Sequence, residues 1–353
     1  MHVLLIDDKV PDPHFGAGFP RAYRLLISLI QLGHKITFFP TLKANLEVIN
    51  RELLRTYGVE VCDDLQKLER DVDVAIISRP HNMHYYMPVV KDKQPQAKII
   101  YDTEALWYRR YDLQLKITGK LPGWAYRYDE LGLARAVDLC WVVNTEEKKI
   151  LEDNGVEKVT VLAHALNIHE AGKSFEKRSD FLVVGGILEE NSSNEDGLWH
   201  YLDTAWEQVR IGSGAILDVT GKATAPRLVN HTFNGVNLMG HVDNLIPLYE
   251  SHRVFVASTR FATGIPWKVH EAMAHGIPCV ISKLLADQLR VKPGKEALVA
   301  NTPKEFITKS IKLYTDSNLW HRVREDAFEL VRRDCDPENF KGIIQSTLHG
   351  LVS

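Results

Sequence analysis

The stretch RFATGIPWKVHEAMAHGIPCVIS, residues 260–282, sets a cation and a carboxylate three positions apart. On a helix over 267–275, Lys268, Glu271 and His275 fall on one side, while Val269 and Met273 face elsewhere and can pack on a sheet. Gly264 permits a tight turn and close ligand approach. Pro266 suits the first helical turn, where its missing N–H costs nothing. Backbone N–H groups at such a helix start, with the positive end of its dipole, form an anion site. Lys268 adds a mobile ammonium beside it. Glu271, one turn further in, is placed to accept hydrogen bonds from sugar hydroxyls instead. An anion carrying hydroxyls describes a nucleotide or a nucleotide-sugar. The plain alternative is a surface pair of little energetic weight.

Other residues could do chemistry. Asp102 in YDTEALW ends an apolar run, where parallel sheets gather their site residues, and Glu104 follows it. Either could orient an acceptor hydroxyl; a helix cap is the alternative for Asp102. Gly16 and Gly18 in HFGAGFPR can bring N–H groups close to a phosphate or an acceptor, and Arg21 at the start of the next helix can reach a cleft. Any Pro/Gly-rich turn before a helix shows such a pattern. Arg260 is a second candidate cation, or simply a surface arginine after a strand. His164 reads as a satisfied polar residue. DVD (71–73) reads as a solvated junction. HNMH (81–84) lacks a third metal ligand at suitable spacing and reads as a surface turn.

The elements that must position these residues alternate. In residues 1–168 strands are expected at 2–7, 34–40, 59–61, 73–78, 97–102, 139–143 and 159–164. Helices are expected over 20–33, 44–57, 64–70, within 104–118, over 122–137 and over 144–155, the last with an Asn144/Glu147 capping box. Residues 169–180 are polar and aperiodic and read as a linker. Residues 181–332 repeat the alternation, with strands at 181–186, 215–221, 236–240, 253–258, 278–282 and 296–300. The tail, 333–353, reads as a helix returning to the first domain. The class is α/β, two doubly wound parallel-sheet domains facing across a cleft.

Bulk properties narrow the function. A formal net charge of −3 argues against a general nucleic-acid binder. Cys62, Cys140, Cys279 and Cys335 are widely separated and suggest neither a disulfide framework nor a zinc site. The start, MHVLLIDDKVPDP, lacks a basic region before its apolar run, and the longest apolar stretch is too short to span a bilayer. A cytoplasmic chain is expected, with peripheral membrane contact left open.

The segment 260–282 resembles the donor-binding segment of GT4-type retaining glycosyltransferases with the GT-B fold. VLLIDDKVPDPHFGAGFPRAYRLLISLIQLGHKITFFP (3–40), IIYDTEALWYRR (99–110) and MGHVDNLIPLYESHRVFVASTRF (239–261) extend the resemblance over most of the chain. It implies a metal-independent enzyme without a cofactor. Such an enzyme moves a hexosyl or related unit from a nucleotide-diphosphate sugar to a sugar, lipid-linked sugar or small-molecule acceptor. Glu271 matches the second glutamate of the family's E-x7-E motif and is expected to hold the nucleotide ribose; Thr263 stands where the first glutamate would be. Gly186 occupies the place of an arginine that many relatives carry; a branch of the family has VGG here and a lysine in the later helix, so the resemblance makes Lys268 the candidate for the diphosphate, with Arg260 the second. Ile265 and Leu245 complete the expected donor site. Two other readings stay open: a silent nucleotide-sugar-binding protein and a sugar-nucleotide epimerase of the same shape.

Overall fold

The computed structural model describes residues 1–11, 18–42, 54–121, 128–170 and 172–352. The chain forms two compact units. One holds Met1–Tyr108, Tyr126–Ala165 and Pro337–Ser353; the other holds Arg109–Ala125 and Leu166–Asp336.

The first unit is built on a seven-stranded sheet of β1 (His2–Asp7), β2 (Lys35–Pro40), β3 (Glu60–Val61), β4 (Val74–Ser78), β5 (Lys98–Asp102), β6 (Leu139–Val142) and β7 (Val159–Val161). The order is β3-β2-β1-β4-β5-β6-β7, and every pairing is parallel. Alternate residues of β1 enter different cores: Val3 and Leu5 join one apolar cluster, Leu4 and Ile6 another. Successive side chains point to opposite faces of a strand, so both faces of this sheet are covered, and that is why its strands read as unbroken apolar runs. The first helix, α1 (Phe19–Gln31), buries Leu25, Leu26 and Leu29. It shares its core with Phe340, Ile344 and Leu348 of the C-terminal helix.

The remaining helices of the unit are α2 (Pro80–Lys93), α4 (Glu130–Arg135) and α5 (Thr145–Asp153); α3 (Trp107–Thr118) starts in this unit and from Arg109 onward belongs to the second. The Asn144 side chain accepts from the Glu147 N–H at 2.8 Å and starts α5, while Glu147 Oε1 accepts from the Leu106 N–H at 3.3 Å.

The second unit has a six-stranded parallel sheet of β8 (Ser179–Leu188), β9 (Leu217–Ala223), β10 (Val236–Gly240), β11 (His252–Ala257), β12 (Cys279–Ser282) and β13 (Leu298–Ala300). Its order is β10-β9-β8-β11-β12-β13. Phe181 and Val183 face one core and Leu182 the other, so this sheet too is covered on both sides. Its helices are α6 (Ser193–Tyr201), α7 (Glu207–Ser213), α8 (Pro226–Val229), α9 (Ile246–Ser251), α10 (Trp267–Ala274), α11 (Lys283–Gln288), α12 (Pro303–Thr315) and α13 (Ser317–Asp334); α14 (Pro337–Val352) belongs to the first unit. A π-helical turn, Leu202–Trp206, joins α6 to α7.

Each sheet reverses its strand order once, between β1 and β4 in the first and between β8 and β11 in the second. The crevice beyond the carboxyl ends of the two strands at such a reversal is where open α/β sheets bind ligands.

The structure corrects several sequence expectations. Residues 80–93 form α2 rather than a surface turn at HNMH; Pro80 takes the first helical turn and Pro88 sits inside the helix. Proline normally ends a helix because it lacks the N–H and crowds the preceding turn. That breaker signal hid a helix held by Met83 and Val90, both buried under the sheet. The helix expected at 64–70 is a single 3-10 turn, Leu65–Lys67, capped by Asp64. The one expected over 122–137 is Glu130–Arg135 where described. Residues 43–53, most of the expected helix 44–57, lie outside the described residues. Among the described residues no helix is long and apolar enough to cross a membrane.

Burial sets an acid limit on the second unit. His270 and His275 on and just after α10 are buried, and that burial lowers each pKa to about 4, helped for His275 by His169 and Arg178. Between about pH 6.5 and pH 4 the unfolded chain binds protons that the native chain refuses, so stability falls on acidification through this window and levels off below it. The loss is on the order of 2–3 kcal/mol per histidine. Urea unfolding at pH 7 and pH 4.5 checks this: H275Q is expected to lose less on acidification than the wild type. Equal losses would contradict the assignment.

Candidate functional site

In the second unit the site residues gather at the strand-order reversal. Gly185 and Gly186 lie at the end of β8; Ser258, Thr259 and Arg260 follow β11. Between them stand the first turn of α6 and the start of α10. α6 is capped by Ser192, whose side chain accepts from the Glu195 N–H at 3.2 Å. A side chain at Gly197 would place its Cβ 2.9 Å from the Ser258 carbonyl oxygen, so glycine there lets α6 close on the end of β11.

The Lys268 ammonium donates to Asn194 Oδ1 at 2.7 Å. Asn194 in turn donates to the Gly185 carbonyl at 2.5 Å. Lys268 and Asn194 line a small hollow with Gly185, Gly197, Ser258 and Thr259. Among the described residues no carboxylate pairs with Lys268, and burial of its amine lowers the pKa to about 8. A largely desolvated ammonium beside two helix starts, with an amide oxygen as its hydrogen-bond partner, is an electrostatic arrangement that favours an anion.

The other predicted donor residues fall around it. Glu271, one turn after Lys268, accepts from the Tyr249 hydroxyl at 2.9 Å. Arg260 does not stand open: it forms a two-pronged pair with the buried Asp196 of α6 at 2.8 and 2.7 Å. Thr263 buries its hydroxyl oxygen without a hydrogen-bond partner. Gly264 has φ +83° and Gly186 φ +63°. Leu245 and Ile265 pack against the core. Pro266 caps α10 from just outside the helix, its carbonyl accepting from the Val269 N–H at 3.0 Å.

Three basic residues near this point were not picked out from the sequence. Arg227 pairs with Glu195 and lies over the Trp199 ring at 5.2 Å. Arg110 donates to Ser193 Oγ at 3.3 Å. Arg178, fully buried, donates to the carbonyls of Lys173, Tyr249, His252 and His275. Arg178 braces the chain segments behind the site rather than facing it.

The first unit gathers a second group at its own reversal. Arg79, just past β4, donates to Asp7 Oδ1 at 2.8 Å and pairs with Glu104 Oε2 at 2.9 Å. Asp8 accepts from His81 at 2.6 Å and from Asn82 at 2.9 Å. Arg79 and Glu104 both hold positive φ, 77° and 53°, a strained backbone that structures keep where surrounding contacts over-determine it, often at functional sites. Burial pushes the Glu104 carboxyl up to about 8, opposed by Arg79 and reinforced by Asp7 and Asp102. Burial alone would raise Asp8 as well, but the His81 hydrogen bond and the Arg79 charge hold it below its ordinary value. Gly18, at φ +87°, leaves room for Glu104: a Cβ there would lie 2.7 Å from the Glu104 carboxylate.

Asp102 is neither a helix cap nor an open carboxylate. It is buried and accepts from both Arg21 nitrogens, at 2.8 and 2.9 Å, and from Ser78 Oγ at 3.2 Å. Arg21 also donates to the Leu162 and Ala163 carbonyls. This corrects the expectation that Arg21 reaches into a cleft: a guanidinium with so many inward partners has no reason to turn outward. Gly16 lies outside the described residues.

Solved structures of like architecture include Anabaena Alr3699/HepE in complex with UDP, with TM-score 0.72, 12% identity, 99% of this chain and 100% of that one covered. A glycosyltransferase from Rickettsia africae ESF-5 gives 0.70 and 10%, covering 100% and 98%. A sucrose-phosphate synthase from Thermosynechococcus elongatus gives 0.67 and 11%, covering 99% and 98%. At such identities the likeness establishes the fold: two parallel-sheet units with flanking helices, the GT-B architecture. Residues 178–316, most of the second unit, match the family model described as Glycosyl transferases group 1. No curated protein matches the chain.

Proposed function

We propose that the protein is a retaining glycosyltransferase of the GT4 type. It moves a hexosyl or related unit from a nucleotide-diphosphate sugar to a hydroxyl acceptor, in polysaccharide or glycoconjugate synthesis. The observation that carries this reading is the Lys268 ammonium, set between the starts of α6 and α10 and pairing with no carboxylate among the described residues. The diphosphate of the donor supplies the missing negative charge. The match of residues 178–316 to the glycosyl transferase model and the UDP held by the Anabaena structure support the same ligand class.

In the reaction the bond between the anomeric carbon and the diphosphate oxygen breaks, and that carbon bonds to the acceptor oxygen on the same face. The acceptor proton passes to a donor-phosphate oxygen. Negative charge grows on the leaving diphosphate, and preorganised donors aimed at it stabilise the transition state. Lys268 and the α10 start fill that role with no protein-bound metal required of them. Glu271 holds the ribose, and the buried Thr263 hydroxyl, together with backbone groups, meets the sugar. Glu104 and Asp8 of the first unit orient the acceptor hydroxyl, with Asp102 holding Arg21 behind them.

Incubation with a panel of nucleotide-sugars and acceptors, followed by product analysis, tests the reading. The expected result is a new α-configured glycoside from an α-linked donor. Isomerised donor would mark an epimerase, and tight binding without any product would mark a silent binding protein; either overturns the proposal.

A further inference from the structure

Glu271 and its surroundings carry one more step, which rests on the ribose-holding reading given above. Glu271 lies in α10 with His275 four residues on, just past the helix end, so both rise from one face. Tyr249, in α9, is completely buried and reaches Glu271 Oε2 with its hydroxyl at 2.9 Å. Its ring stacks on His275 at 5.2 Å and 11°, and His275 stacks on His169 at 4.2 Å and 3°. Three rings therefore form a column whose end touches the carboxylate. His275 is also tied to Arg178 through its carbonyl at 3.1 Å.

We propose that Tyr249 is a positioning residue for the nucleotide ribose, its hydroxyl fixing the plane of the Glu271 carboxylate and the stacked column fixing the hydroxyl. A flexible glutamate loses side-chain freedom on binding a diol, whereas one already tethered through Oε2 loses less. The phenol serves as a donor only: burial and the Glu271 charge raise its pKa well above the ordinary value, so the proton stays on the tyrosine. Tyr249 touches neither substrate nor reacting atoms, and its whole effect passes through Glu271.

Calorimetric titration of the full chain with UDP, GDP, ADP and CDP, and with their 2′,3′-dideoxy counterparts, tests this on wild type, Y249F, E271Q and the double variant. The wild type is expected to prefer a ribonucleotide, and E271Q to lose that preference. A wild type that binds both sugars equally overturns the ribose reading itself, and the positioning role with it. If the preference exists, Y249F is expected to reduce it about three- to tenfold, the net worth of one ordinary hydrogen bond. The dideoxy affinity should stay within about twofold, and the double variant should match E271Q. An undiminished preference in Y249F overturns the positioning role and leaves the ribose reading intact. So does an equal loss for both sugars, or a Y249F chain that no longer folds, since either makes the hydroxyl structural.

Discussion

An R21M chain is expected to lose about 3–5 kcal/mol of unfolding free energy, the usual cost of removing one partner from a buried ion pair. The size follows from what is left behind. Asp102 would stay almost wholly inaccessible to water with Ser78 Oγ as its remaining side-chain donor, and the Leu162 and Ala163 carbonyls would lose theirs. Methionine fills much of the arginine's volume, so the loss reports charge and hydrogen bonds more than a cavity. R21K is expected to recover little, because an ammonium cannot satisfy two carboxylate oxygens and two carbonyls in a single planar fork. Urea denaturation of both variants beside the wild type measures the effect. A loss under about 1 kcal/mol would mean that the pair is bystander to the first unit's stability.

The second large effect is on function. K268M is expected to lower the transfer rate about 10²–10³-fold, the range seen when one preorganised donor to a developing oxyanion is removed. Nucleoside diphosphate affinity should fall with it, because both bound and leaving diphosphate are charged. The pH dependence carries the sharper signature. The lysine pKa is lowered from 10.5 to about 8 by burial. Below about pH 8 the amine is charged and affinity is flat; above it the proton must be taken up on binding, so affinity falls by up to tenfold per pH unit. The fold itself moves the other way, gaining stability from pH 8 to pH 10.5, because there the unfolded chain holds the proton that the native chain has lost. Titrations from pH 6.5 to pH 9.5 should show this bend in the wild type and a flat line in K268M. A wild type without the bend would detach Lys268 from the diphosphate.

Much of this fold was legible because a doubly covered parallel sheet writes its strands as continuous apolar runs, and β1, β5 and β8 each stand out that way. The α10 helix and its facing pair, Lys268 and Glu271, were legible for a similar local reason: a turn, a proline and a helical spacing lie within a dozen residues. What spacing cannot show is which distant residues the topology joins. Asp7 and Arg79 are 72 positions apart, and Lys268 and Asn194 are 74 apart. The aspartate ending the first apolar run, HVLLID, is visible in the sequence, but its partner Arg79, two residues before the HNMH read as a surface turn, carries no local signal that points to it. Arg21 was misread because arginines at helix starts are usually exposed; it is buried only because Asp102 and two carbonyls happen to converge on it.

The most direct test of the account is a crystal structure of the full chain soaked with a nucleoside diphosphate that binds it. The diphosphate oxygens are predicted within hydrogen-bonding distance of the Lys268 ammonium and the backbone N–H groups opening α10, with the ribose hydroxyls on Glu271. A diphosphate held elsewhere on the chain, with Lys268 still bonded only to Asn194, would contradict it.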